Sequence, residues 1–338
     1  MVIVAVAGGL GDVGRTIVEE IVRRKDHKIY VISRKNKPGI PPREVPENFP
    51  LVLGVDYAVP SEVRRVLREY DINTVISAMN LHWPGAAESQ INLIRAAAES
   101  GVVRRFIPSE FNIDYSCSEE RMPYPPRKSF LQAEEELRLH PQLTYTLIRN
   151  GYFMDYLGLP FTETNLHPLY CVLDLQVGKA VLPGDGNQHV VFTHTRQVAS
   201  CVNELLKLPG DDWPRESAII GERITTKQLV EVAESITGRI FETSYDDIAA
   251  LRQGCTTELP SNKACYAYFP RGREDLETVI CTMMVGMASG VFDIQGTNLE
   301  SLLPSLKPIL LEPFLRQCWS KAQGSALSRT LNEVKLPM

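Results

Sequence analysis

A chain of 338 residues, 44% hydrophobic and 23% charged, has enough material for one large or two ordinary globular domains with a substantial core. The net charge of -5 and the absence of long basic runs argue against a nucleic-acid surface, and the longest uncharged stretch, Thr278 to Phe292, is too short to span a bilayer. The seven cysteines are scattered and odd in number, with no C-x-x-C spacing, so they read as reduced thiols and point to a soluble, cytoplasmic protein.

Val2 to Ala7 is an apolar, β-branched run, as expected for a strand buried on both faces. Gly8, Gly9, Leu10, Gly11, Asp12, Val13 and Gly14 follow, a Gly-x-x-Gly-x-x-Gly string. Val13, Ile17, Val18, Ile21 and Val22 then fall at helical spacing. Strand, glycine turn and helix together are the context for dinucleotide binding, because the backbone must approach a pyrophosphate held at a helix N-terminus. Asp12 suits the helix dipole but would repel a pyrophosphate, so its side chain is expected to point outward.

The pattern continues with strands at Ile29 to Ser33, Leu51 to Val55, Thr74 to Ala78, Arg105 to Pro108 and Thr144 to Arg149, with a proline-rich loop from Pro38 to Pro50. Helices are expected from Pro60, from Ala86 to Ser100 ahead of Gly101, and from Lys128 to His140. Strands alternating with helices of this length predict an α/β fold, a doubly wound parallel (Rossmann) sheet with ligands beyond the carboxyl ends of its strands.

The second half reads as short strands at Val177 to Pro183, His189 to Thr193 and Ser217 to Ile220. Helices are expected at Arg196 to Leu206, after a cap at Thr225 or Thr226, at Asp246 to Arg252, Arg273 to Ser289 and Glu312 to Lys321. The division expected is a dinucleotide-binding domain over residues 1–153 and a smaller α+β substrate region over 154–338, with some elements packing back on the sheet.

After the second strand stand Ser33, Arg34 and Lys35, where an NAD-binding fold usually has an acidic residue. A guanidinium suits the 2′-phosphate of NADP(H). Asp56, after the third strand, could accept from the adenine amino group or cap the next helix. Ser77, Ala78 and Met79 follow the fourth strand, where the cofactor ribose should pass, and His82 just beyond is a conceivable proton donor to substrate.

At the fifth strand the chain reads RRFIPSEFN, Arg104 to Asn112. With the glycine turn and the SRK stretch, this resembles the isoflavone reductase-like / NmrA-like branch of the atypical short-chain dehydrogenase/reductases, over most of residues 1 to about 210. That branch carries R-F-x-P-S-E-F-G; here Asn112 takes the place of the final glycine. The resemblance implies an NADPH-dependent reductase of a small aromatic or polyketide-like molecule; charge and hydropathy predict no nucleic-acid or membrane partner, and monomer or homodimer are both open. It implies that Pro108, Ser109, Glu110 and Phe111 lie against the cofactor. Lys128, in RKSFLQAEEEL, matches the lysine that orients nicotinamide or aids proton transfer.

Tyr124 and Lys128 also have Tyr-x-x-x-Lys spacing, but Pro125 and Pro126 between them put Tyr124 outside the helix, which weakens it as a catalytic acid. Tyr152 and Phe153, after the sixth strand, are expected beside nicotinamide or substrate, Tyr152 as a further catalytic candidate and Asn112 as a substrate contact. No group of His, Asp, Glu or Cys has metal-ligand spacing. Two alternatives stay open: a non-redox isomerase or cyclase on the same scaffold, and an NADP-sensing regulator.

Overall fold

The computed structural model describes residues 1–35, 49–303 and 305–333; most of the proline-rich loop from Pro38 to Pro50 lies outside the described residues. The first half forms β1 (Ile3–Ala7), α1 (Asp12–Arg24), β2 (Lys28–Arg34), β3 (Val52–Val55), α2 (Pro60–Glu69), β4 (Thr74–Ser77), α3 (Ala86–Ser100), β5 (Arg105–Ile107), α4 (Arg127–Arg138) and β6 (Thr144–Tyr145). The six strands make one parallel sheet in the order β3-β2-β1-β4-β5-β6. The reversal of strand order beside β1 puts the glycine turn at the switch point, where such sheets bind ligands.

Alternation along β1 feeds two apolar layers. Val4 and Val6 pack with Ile17, Val18 and Ile21 of α1 on one face. Ala5 and Ala7 meet Val63, Leu67, Leu93, Ile94 and Leu137 of α2, α3 and α4 on the other. This two-sided burial is why the strand is apolar at every position.

The strand expected over Thr144 to Arg149 is broken at Thr146. After β6 the chain leaves the main sheet, and β7 (Leu147–Arg149) pairs instead with β12 (Glu216–Ala218), itself parallel to β15 (Thr297–Asn298). The buried hydroxyls of Thr146 and Ser217 meet at 2.7 Å at this break. Two further three-stranded sheets follow. One joins β8 (Tyr152–Phe153), β11 (His189–Thr193) and β13 (Glu222–Thr225); the other joins β9 (Leu173–Asp174), β10 (Lys179–Pro183) and β14 (Glu242–Asp246).

The helices of this half are α5 (Thr195–Leu205), α6 (Thr226–Thr237), α7 (Ile248–Arg252), α8 (Arg273–Ala288), α9 (Leu299–Leu302) and α10 (Leu311–Glu333). Asp246, expected to open a helix, ends β14, and its carboxylate accepts from Thr256 and Thr257, so the helix starts only at Ile248. Of the two threonines expected to cap α6, Thr225 does so, with Gln228 closing the reciprocal box. Val198, Val202 and Leu205 of α5 share an apolar layer with α1. No helix among the described residues is long and apolar enough to cross a membrane.

Candidate functional site

The glycine turn is shaped by close backbone approach. Gly8 has φ +84°, and a Cβ there would lie 2.4 Å from the Ala78 carbonyl oxygen. A Cβ on Gly14 would lie 2.4 Å from the Gly8 carbonyl oxygen. Turn, helix start and the end of β4 therefore touch directly. Gly11 is different: its φ of -114° suits any residue, and an added Cβ would come no closer than 3.8 Å to other atoms. Gly11 is the N-cap of α1 and supplies no side-chain acceptor, so the first-turn N–H groups are available to an outside anion. Room in front of Gly11 and unclaimed N–H groups fit a pyrophosphate.

Asp12, at φ +24°, does not simply turn out to solvent: its carboxylate pairs with His167 Nδ1 at 2.7 Å. Asn165 donates to Thr16 Oγ1 at 3.2 Å and Glu19 Oε2 at 2.8 Å. A segment of the second half thus crosses the start of α1. This contact was missed, because a single histidine in an irregular stretch carries no spacing signal.

Arg34 ends β2 with an exposed side chain, and no carboxylate among the described residues pairs with it. Lys35 is instead ion-paired with Glu62. Asp56 uses one carboxylate oxygen to accept from the Ala58 N–H at 2.9 Å, a turn ahead of α2; the helix is capped by Val59 with no side-chain bond, so Asp56 is not its cap. Ser33 is half-buried, and Ser77 is fully buried beneath the turn.

The loop after β5 is fixed on several sides. The Ser109 N–H donates to Gln90 Oε1 at 2.9 Å, and its hydroxyl donates to the Met79 carbonyl at 2.7 Å. Pro108 is buried, and Phe111, also buried, holds φ +45°, a conformation that costs a non-glycine residue about 1 kcal/mol or more. The Asn112 carbonyl accepts from the N–H groups of Asn150 and Gly151. Glu110, expected against the cofactor, turns its carboxylate into the protein: its side chain is 5% exposed and its Oε2 lies 3.8 Å from Arg149 Nε. Arg149 meanwhile reaches Glu216 at 2.9 Å and Asp114 at 3.2 Å. Burial pushes the Glu110 carboxyl up to about 8. Arg149 was also missed, although a charge closing an apolar strand was its one visible signal.

Lys128 sits in the first turn of α4, exposed and without an ion pair among the described residues. Tyr124 lies three residues before α4, outside the helix as expected, and its carbonyl accepts from the Arg127 N–H. Its buried hydroxyl is hydrogen-bonded to His82 Nε2, with the two rings edge-to-face at 5.1 Å. The structure therefore joins two separately predicted residues. Tyr115 stacks on Tyr124 at 5.7 Å and on Phe130 of α4 at 3.8 Å, and Asn112 Nδ2 donates to its hydroxyl at 3.2 Å.

Tyr152 is not at an open face. It is 3% exposed in the core of the second half, against Tyr156 at 5.4 Å and Phe192 at 6.1 Å, and burial raises its phenol far above the ordinary value. Held among core aromatics on every side, it has no open face toward a cofactor or substrate, so the expected catalytic role gives way to packing. Phe153 is half-buried and lies edge-on to Tyr156 at 6.5 Å. Tyr156 itself is raised by burial, then by the charges of Asp12 and Asp155 and by Tyr124. A groove of about 870 Å³ opens at the other end of the sheet, beside Met1, Asn73, Arg104 and Thr144, remote from these residues.

Comparison with known proteins bears on the family and the fold. The model of the NmrA-like family matches residues 2–266. The oxidoreductase swnN of Metarhizium robertsii is 36% identical over 349 residues, covering 96% of this chain and all of the relative. The isoflavone reductase homolog IRL of Zea mays is 26% identical, covering 80% of this chain and 87% of its own. Among solved structures, AtPrR2 with NADP+ and (+)pinoresinol superimposes with a TM-score of 0.68 at 20% identity, covering 93% of this chain and 98% of that one. The leucoanthocyanidin reductase–NADPH complex from Vitis vinifera gives 0.70 at 15% identity, covering 94% and 99%.

Proposed function

This chain belongs to the NmrA-like family, and on that premise we propose that it is an NADPH-dependent reductase of a small aromatic or polyketide-like molecule. One observation carries the reading: the α1 N-terminus has open space in front of Gly11, and Arg34 stands exposed at the end of the neighbouring strand. The first-turn N–H groups would hold the pyrophosphate, and Arg34 the 2′-phosphate. When bound, the cofactor supplies a hydride to a carbonyl, an activated double bond or a benzylic centre. Lys128, at the positive end of α4, would offset negative charge at the reacting atom and help its protonation. Residues 1–153 would form the cofactor-binding part and 154–338 the substrate region. Its relatives named as oxidoreductases support this reading.

NADPH oxidation tests it, measured against aromatic ketones, activated alkenes and benzylic ethers including pinoresinol. Lys128→Met should lower kcat roughly 100-fold while NADPH affinity changes little. Turnover equal to wild type would remove Lys128 from the reaction. Gly11→Ala is expected to keep the thermal midpoint, because the fold has room for the methyl, yet to weaken NADPH binding at least about tenfold by occupying the phosphate approach. Unchanged binding by calorimetric titration would place the cofactor elsewhere.

A further inference from the structure

Four polar side chains at the ligand end of the sheet are linked, although they come from three separate stretches of sequence. Asn112 Nδ2 donates to the Tyr115 hydroxyl at 3.2 Å. The Tyr115 ring stacks on that of Tyr124 at 5.7 Å, and the Tyr124 hydroxyl is bonded to His82 Nε2. The tyrosines are buried, whereas His82 keeps an exposed surface, so the linked side chains run from the interior to solvent. Phe130, two residues beyond Lys128, lies flat on Tyr115 and fixes the stack. A glycine at position 112, as in the motif this stretch resembles, would leave Tyr115 without its amide donor.

We propose that Tyr124 delivers the proton in the reduction and that His82 resupplies it from solvent, with Asn112 and Tyr115 as positioning residues. The proposal rests on the reductase reading above. As hydride reaches the acceptor carbon, the π or leaving electron pair moves to the acceptor heteroatom, which takes the Tyr124 proton. The O–H pair stays on the Tyr124 oxygen, which takes the Nε2 proton of His82, and solvent returns one proton to the ring at Nδ1. The cofactor is oxidised, the substrate reduced and one solvent proton consumed. A lasting buried phenolate is disfavoured, since burial raises the Tyr124 hydroxyl well above its ordinary range. The bond from His82 to the oxygen lowers that cost during transfer. The other titratable groups facing the pair are Tyr156 and Asp275 of α8.

The test has two parts. In the free protein labelled with 13C-histidine, and with His82 assigned by His82→Asn, Tyr124→Phe should shift the His82 ring resonances and titration midpoint and leave the other histidines in place. Resonances unchanged by the substitution overturn the pairing. In turnover, Tyr124→Phe should lower kcat about 100-fold with NADPH affinity kept. His82→Gly should lower kcat about tenfold, enlarge the solvent deuterium isotope effect and be rescued by added imidazole. Wild-type turnover that Tyr124→Phe leaves within about twofold overturns the relay alone. A wild type that oxidises NADPH with none of the substrates overturns the reductase reading, and the relay with it.

Discussion

Glu110→Gln should stabilise the protein at pH 8 by about 4 kcal/mol and have almost no effect near pH 4.5. The carboxyl lies in the interior, and its neighbour Arg149 is already engaged by Glu216 and Asp114. In the unfolded chain a glutamate loses its proton near 4.5, whereas here burial holds the proton up to about 8. Between those two values the unfolded state releases a proton that the folded state retains. The stability contributed by the neutral carboxyl is therefore fully present below 4.5 and lost as pH rises to about 8, then level. Glutamine has nearly the same shape and no charge to desolvate, so its variant should lack this slope. Thermal unfolding followed from pH 4.5 to 8.5 checks the expectation; parallel curves for the two proteins would mean that Arg149 keeps Glu110 ionised.

Arg34→Ala should weaken NADPH binding by about 10- to 100-fold and leave NADH binding unchanged. A charge-assisted hydrogen bond to phosphate contributes about 1.5–3 kcal/mol, and only NADPH carries the 2′-phosphate that would receive it. Arg34 is suited to this because it ends β2 exposed and unclaimed by any described carboxylate, while Lys35 is occupied by Glu62. Arg34→Lys should restore only part of the affinity, since an ammonium lacks the guanidinium fork. Titration with both nucleotides by fluorescence measures all three proteins. Equal losses for NADPH and NADH would show that Arg34 supports the fold and not the phosphate.

What the amino-acid order revealed follows from the range of the forces involved. The β1 run, the glycine turn and α1 are contiguous, so their periodicity and composition stand in one short window. Pro60 at the start of α2 and Thr225 capping α6 are equally local signals. The break at Thr146 was hidden because its partner, Ser217, lies 71 residues away. Strand β13 was missed because none of its four residues is fully buried, so it shows no alternation. In the candidate site, Arg34 and the loop after β5 stand out as motifs. The Tyr124–His82 bond does not, since it joins residues 42 apart across two loops. Tyr152 misled for a related reason: its position after a strand suggested an open face, but β8 turns it toward β11, into the core of the second half.

The most direct test of the reductase account is isotope transfer. The wild-type protein is incubated with NADPH carrying deuterium at one face of nicotinamide C4, then with the other, in the presence of the aromatic ketones, activated alkenes and benzylic ethers. The account predicts that one of the two deuterated cofactors, and not the other, gives product with one deuterium on the reduced carbon, with equal NADP+ formed. NADPH bound but never consumed would mark a cofactor-sensing protein. Product formed without deuterium or cofactor oxidation would mark a non-redox enzyme. Either result would contradict the account.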